Sequence, residues 1–154
     1  TLIIGIITGF TCAHAYNQAK FSSKFIKNFK NCDNYQETTQ SEYEGINFKT
    51  ERNIIGWRNG YCKFTETISS KDGTYKLNCS FTDLQVEELY KSMKNKSKTP
   101  QEYIMDIFAL KTNPKTGKET YEIVNKMTIK GNSAYVTWTK YENNPYFCIP
   151  QKLK

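Results

Sequence analysis

The chain has 154 residues, with 22 Lys and Arg against 15 Asp and Glu, one histidine, five cysteines and a formal net charge of +7. That length suits one domain around one hydrophobic core. The lone His14 stands near the start, so a histidine-based triad or a histidine-ligated zinc or haem has no residues to draw on in the body of the chain.

Leu2 to Phe10 is an apolar run, followed by Ala13-His14-Ala15. An apolar segment ending in A-x-A predicts a signal peptide over residues 1–15, cleaved near Ala15 and too short to cross a bilayer as a helix. Gly9-Phe10-Thr11 is a poor match for a lipoprotein signal ending at Cys12. Residues 16–154 are then expected to form a single secreted α+β domain without a transmembrane segment, in a secreted, periplasmic or cell-surface location. Cleavage removes Cys12 and His14 and leaves Cys32, Cys62, Cys79 and Cys148. Four cysteines in an exported chain, with no C-x-x-C, predict two disulfides and no zinc site. Of the basic residues only Arg52 and Arg58 are arginine. Such lysine-rich usage fits an AT-rich genome, and so concerns codon supply before function.

Asn17 to Asn31 predicts an amphipathic helix. Phe21, Phe25, Ile26 and Phe29 share one side, and Lys20, Lys24, Lys27 and Lys30 the other. Those four lysines are the candidate anionic-ligand residues. Residues 33–45 are polar and without a clear period, and read as a loop.

Ile46-Asn47-Phe48 opens a strand that continues, through a kink or bulge, into Ile54 to Trp57. Asn59-Gly60 is a strong hairpin signal, because a type I′ turn needs φ > 0 at both central positions. It sets Trp57 opposite Cys62 and Ile55 opposite Phe64. Asp72-Gly73 predicts a second turn, with Ile68 opposite Leu77, Phe64 opposite Phe81 and Cys79 opposite Glu66. A three-stranded meander results, with Trp57, Ile55, Cys62, Phe64, Ile68, Leu77, Cys79 and Phe81 on its buried face. Cys62 and Cys79 then stand on the order of 13 Å apart along the sheet. That is too far for a bridge, so Cys32 and Cys148 are each expected to pair with a sheet cysteine.

Thr82-Asp83-Leu84-Gln85 is a capping-box pattern opening a helix to about Lys94 that buries Val86, Leu89, Tyr90 and Met93. Pro100 suits the first turn of a further helix with Tyr103, Ile104, Ile107 and Phe108 as its apolar face. Lys111 to Lys118 reads as a surface loop. Tyr121 to Lys130, a Gly131-Asn132 turn and Ser133 to Tyr141 read as a final hairpin, burying Met127, Ile129, Ala134, Val136 and Trp138. Cys148 ties down the tail.

The fold class expected is therefore α+β. An N-terminal helix packs on a curved antiparallel sheet, made of the meander and a C-terminal hairpin, with two intervening helices and disulfide stabilisation. A helix across an antiparallel sheet looks like the cystatin or NTF2-type architecture. That likeness is of element order only and implies no function.

No cofactor is expected. Gly117-Lys118 lacks the rest of a P-loop, no G-x-G-x-x-G occurs, and Asp72-Gly73 lacks the further oxygen ligands of a calcium loop. Asn78-Cys79-Ser80 and Asn95-Lys96-Ser97 match the glycosylation sequon, which matters only in a eukaryotic host, whereas the exported style is bacterial. Glu66 is the one acid that alternation puts on the apolar face. A buried carboxyl beside a second acid is the equipment of a glycan hydrolase, which makes Glu66 the catalytic candidate. Glu42, Glu44, Glu87 and Glu88 read as solvated. The leading expectation is an exported, non-enzymatic binding or envelope protein. The alternatives are a small hydrolase using Glu66 and a binder of anionic polymers through lysine faces. An anionic envelope polymer or another exported protein is the partner expected, and nucleic acid is not.

Overall fold

The computed structural model of the chain describes residues 18–153. The expected signal peptide, with Cys12 and His14, lies outside them. Among the described residues the order is α1 (Ser23–Phe29), β1 (Tyr35–Tyr43), β2 (Ile46–Arg58), β3 (Tyr61–Ser70), β4 (Gly73–Phe81), α2 (Asp83–Lys94), β5 (Gln101–Thr112), β6 (Glu119–Gly131), α3 (Ser133–Glu142) and β7 (Cys148–Lys152). Strands β1-β2-β3-β4-β7 form one antiparallel sheet, and β5-β6 a separate ribbon. The mixed α and β character with antiparallel pairing agrees with the expected class, but several elements differ from their expected form.

The Asn59-Gly60 turn is as expected, with φ of 52° and 80° and Arg58 opposite Tyr61. The bulge lies later than expected, inside the Ile54 to Trp57 segment and not before it: Trp57 pairs with Cys62, but Ile54 rather than Ile55 faces Phe64. Ile55 is the extra residue, and Gly56 beside it takes φ 110°, where a side chain would be strained. At the second turn Ser70 pairs with Gly73, so Lys71-Asp72 is the loop and the register slides by two residues. Phe64 now faces Cys79, and Glu66 faces Leu77. A slide of two keeps every side chain on its face, so Cys62, Phe64, Glu66, Leu77, Cys79 and Phe81 are all buried.

Residues 33–45 are not simply a loop. Tyr35–Tyr43 is a nine-residue edge strand turning into β2 at Glu44-Gly45, both with positive φ. It is polar because an edge strand exposes much of its surface. The helix expected from Pro100 is also a strand. Tyr103, Ile104, Ile107 and Phe108 fit a helical period, yet Met105 and Ala109 are the buried positions, on the period of two. The last expected strand is a helix instead. Ser133–Glu142 buries eight of its ten residues, so it has no polar face and no helical stripe to read. Asn132 is its N-cap rather than a turn residue: its Oδ1 accepts from Tyr135 N–H at 2.8 Å.

Two apolar clusters flank α3. Ala134, Trp138 and Tyr141 join Phe25, Phe29, Phe64, Phe81, Val86 and Leu89 under the five-stranded sheet. Tyr135 and Val136 pack against Met105 and Ile129 of the ribbon. Helix α1 is shorter than expected, starting at the Ser22 cap, and buries Phe25 and Phe29 completely. The capping box of α2 forms as expected, with Thr82 and Gln85 bonding reciprocally. Cys32 bridges Cys62, and Cys79 bridges Cys148, its direct partner across β4 and β7. Each cross-link limits the unfolded chain and stabilises by about 3–4 kcal/mol.

Asn132 also accepts from the Ala19 N–H at 3.2 Å and donates to the Ala19 carbonyl at 3.0 Å. One side chain therefore starts α3 and holds the lead-in to α1. Asn132→Ala is expected to cost about 2 kcal/mol or more, read from the urea midpoint, because it removes a cap and two further hydrogen bonds. Asn132→Asp, which keeps only the acceptors, should recover part of the loss.

Candidate functional site

Glu66 lies where alternation put it, on the buried face of β3, and is 3 % exposed. Its partner was not foreseen. Arg52, its direct neighbour across β2 and β3, donates from Nε to Glu66 Oε2 at 2.8 Å. Glu37 is Arg52's neighbour on the other side, across β1 and β2, and meets Arg52 Nη1 at 3.4 Å. Three consecutive strands thus carry an acid, a base and an acid in one row. Arg52 Nη1 also reaches the Lys20 carbonyl at 3.5 Å, and its guanidinium lies 4.4 Å from the Phe21 ring centre. Ser22, the α1 cap, donates to Glu37.

Burial alone would lower the Arg52 pKa. The charge and hydrogen bond of Glu66, with the charges of Glu142 and Glu37, outweigh that and raise it. The guanidinium therefore stays charged and serves as counter-ion to a group of carboxylates. Glu66 is committed to Arg52 and barely reaches solvent, an arrangement that suits a docking joint for α1 more than an acid presented to substrate. An open hollow of about 670 Å³ lies at the far end of β1–β3 beside Gln40, Asn47 and Ser69, away from Glu66. Among the described residues no group of three or more His, Cys, Asp or Glu is placed to hold a metal ion, and no helix is long and apolar enough to cross a membrane.

Lys20, Lys24, Lys27 and Lys30 are all exposed. The phenylalanines of α1 turn inward, so the lysines line the opposite side. Some lysines elsewhere are neutralised in ion pairs, Lys49 with Glu51, Lys91 with Glu87, Lys111 with Glu122, Lys126 with Asp106 and Lys130 with Glu102, whereas Lys71, Lys76, Lys94 and Lys118 have no ion-pair partner among the described residues. None of the four α1-face lysines has an ion-pair partner among the described residues. The Lys30 side chain leans towards α2, with Nζ 5.8 Å from the Tyr90 ring centre. The arrangement is a short helix and its two flanks carrying exposed positive charge.

A second polar cluster joins α2 to α3. Lys140 Nζ meets Glu88 at 2.7 Å, Tyr141 donates its phenol to the same carboxylate, and Lys140 lies over the Tyr141 ring at 4.8 Å. Glu88, expected as an ordinary solvated acid, is thus a bridging one. Burial by itself would raise its carboxyl, but the bonds from Lys140 and Tyr141 and the lysine charge hold it below the ordinary range. Burial pushes the Tyr141 phenol up, and the bond to Glu88 adds to the rise.

Arg52, Glu37, Lys140 and Tyr141 are the residues that the sequence reading missed. One signal did exist for Arg52: in a chain rich in lysine, an arginine suggests a site where a planar, multi-donor cation is needed. No family model, curated protein or solved structure matches this chain.

Arg52→Met should cost about 3–5 kcal/mol in urea denaturation, since it leaves Glu66 buried without its counter-ion. Adding Glu66→Leu should restore much of the loss. A second expectation concerns pH. The stabilisation from a lowered Glu88 is complete above the ordinary carboxylate range and is lost as pH falls through the lowered folded value. Glu88→Gln should therefore flatten the acid limb of a stability profile measured between pH 6 and 2. For Tyr141, raised in the folded state, the contribution is complete below about pH 10 and declines above it. The same variant should let Tyr141 ionise earlier in a phenolate absorbance titration.

Proposed function

We propose that this chain is an exported binding module, not a catalyst, and that it holds anionic polymer on the lysine side of α1. The observation that carries the proposal is the exposed series Lys20, Lys24, Lys27 and Lys30, of which Lys24 and Lys27 lie on α1, Lys30 is its C-cap and Lys20 precedes its N-cap, none with an ion-pair partner among the described residues. Unneutralised charge is a standing cost to the folded protein through self-repulsion, and an anionic partner would remove it. The net charge of +7 favours encounter with the same class of ligand.

Export is supported by the two disulfides, which belong to oxidising compartments. The binding reading, over catalysis, is supported by the burial of Glu66 against Arg52. The ligand class follows from the residues: lysines are point charges suited to any anion, without the planar fork by which arginine reads phosphate or carboxylate specifically. Recognition by such a face is electrostatic and tolerant of detail.

Titration with inorganic polyphosphate should show affinity falling steeply between 50 and 200 mM salt, roughly 100-fold for about four charge contacts. Lys24→Gln with Lys27→Gln should weaken binding and reduce the slope of log K against log salt by about two. Binding that ignores salt, or a slope unchanged in the double variant, would remove the lysine face from the function.

A further inference from the structure

Trp57 is out of place for a core residue. Alternation and register put it opposite Cys62 on the buried side of the meander, yet Cys62 is fully buried while Trp57 is 37 % exposed. It lies at the C-terminal end of α1, where the helix has already stopped. Its indole N–H donates to the Asn31 carbonyl at 2.9 Å, one residue before Cys32. The Cys32–Cys62 bridge and the Asn59-Gly60 turn hold the surrounding backbone. The ring is therefore both open to solvent and fixed in orientation. A large exposed aromatic group held still in this way is a preorganised contact surface, because the entropy of ordering it has been met on folding.

The lysine row runs towards this ring. Lys24 and Lys27 are about 4.5 Å apart along the α1 axis, and the helix end at Asn31 lies about another 6 Å on. Such a step is close to the length of one sugar ring. Arg58 beside Trp57 adds a cation whose Nη1 donates to the Trp57 carbonyl at 2.8 Å.

Resting on the lysine-face reading above, we infer that the ligand is an anionic glycan, with its charged groups on the α1 lysines and a sugar ring stacked on Trp57. A pyranose has one face lined by C–H groups, which is apolar and packs flat on an indole. Single-stranded nucleic acid, the other polyanion with stackable rings, is bound by aromatic side chains interleaved with cations along the strand. Phe21, Phe25 and Phe29 all contact the core, and among the described residues Lys30 alone of the four lysines lies near a ring, that of Tyr90, so rings and cations do not alternate along the row. One platform at the end of a charge row suits a polymer whose repeat is mainly charge and whose stacking partner is a single sugar.

The test uses four probes of matched length: dextran sulfate, neutral dextran, inorganic polyphosphate and oligo-dT. The protein has two tryptophans, of which Trp138 is 2 % exposed, so a ligand on Trp57 has its own fluorescence signal. Dextran sulfate is expected to bind and shift the emission, and neutral dextran to do neither. Trp57→Ser should weaken dextran sulfate roughly tenfold, a typical stacking loss, and leave polyphosphate unchanged. Trp57→Phe retains a ring without the Asn31 bond, and should keep most of the affinity while losing the emission shift. It also serves as the control if the serine variant folds poorly. Equal effects of Trp57→Ser on dextran sulfate and polyphosphate, or no effect on either, would overturn the glycan inference and leave the lysine reading standing. Tighter binding of oligo-dT than of dextran sulfate, or an emission shift that survives Trp57→Phe, would overturn it as well. Failure of every polyanion to bind would remove both readings, and binding of neutral dextran as strong as the sulfate would remove the role of charge.

Discussion

Trp138 is the contact on which the rest of the structure depends. Its ring centre lies within 6.1 Å of five phenylalanines: Phe21, Phe25 and Phe29 from α1 and its lead-in, Phe64 from β3 and Phe81 from β4. An aromatic side chain buries on the order of 200 Å², so one residue of α3 joins helix and sheet into a common core. The indole N–H has no hydrogen-bond partner among the described residues, a cost of about 1–3 kcal/mol that the surrounding contacts must exceed. The neighbouring Tyr135 and Val136 turn the other way, to the β5–β6 ribbon. A two-stranded ribbon is marginal in water by itself, so its order follows from that of α3.

Around this apolar centre the polar row Glu37–Arg52–Glu66 sets how α1 arrives. A buried ion group is weak evidence for stability, because desolvation offsets much of the attraction. What it adds is position. Arg52 meets the Lys20 carbonyl and the Phe21 ring, and Glu37 meets the Ser22 cap, so the first turn of α1 has one seat on the sheet. At the other end Cys32 adopts φ 55°, uncommon for a residue with a side chain, and its bridge to Cys62 holds the chain there. With both ends fixed and the phenylalanines inward, the lysines point outward. The proposed binding face is thus a consequence of core packing, and Trp57 is its terminus because the helix ends before covering it.

Much of the β2–β4 meander was readable because its signals are local. Asn-Gly demands positive φ, Thr-x-x-Gln caps a helix, and alternation assigns faces regardless of a two-residue slide. The failures share a cause. In β5 the apolar residues satisfied the helical and the strand periods together, and only pairing with β6 chose between them. The β1 strand lacks an apolar pattern because it is an edge. The α3 helix lacks one because it is buried nearly all round, and its aromatic and β-branched residues imitate a strand.

The sequence by itself determined which side chains of β3 and β4 face inward, where the first turn falls, that Glu66 is buried and that lysines oppose phenylalanines on α1. Each follows from the fixed periods of strand and helix and the geometry of a two-residue turn. Tertiary structure decided the rest: that Glu66 meets Arg52, that Asn132 starts a helix and grips Ala19, and that Trp57 stays open while Cys62 beside it is sealed. These depend on a bulge at Ile55 and on contacts between residues far apart in the chain. Local periodicity carries no information about partners at that separation.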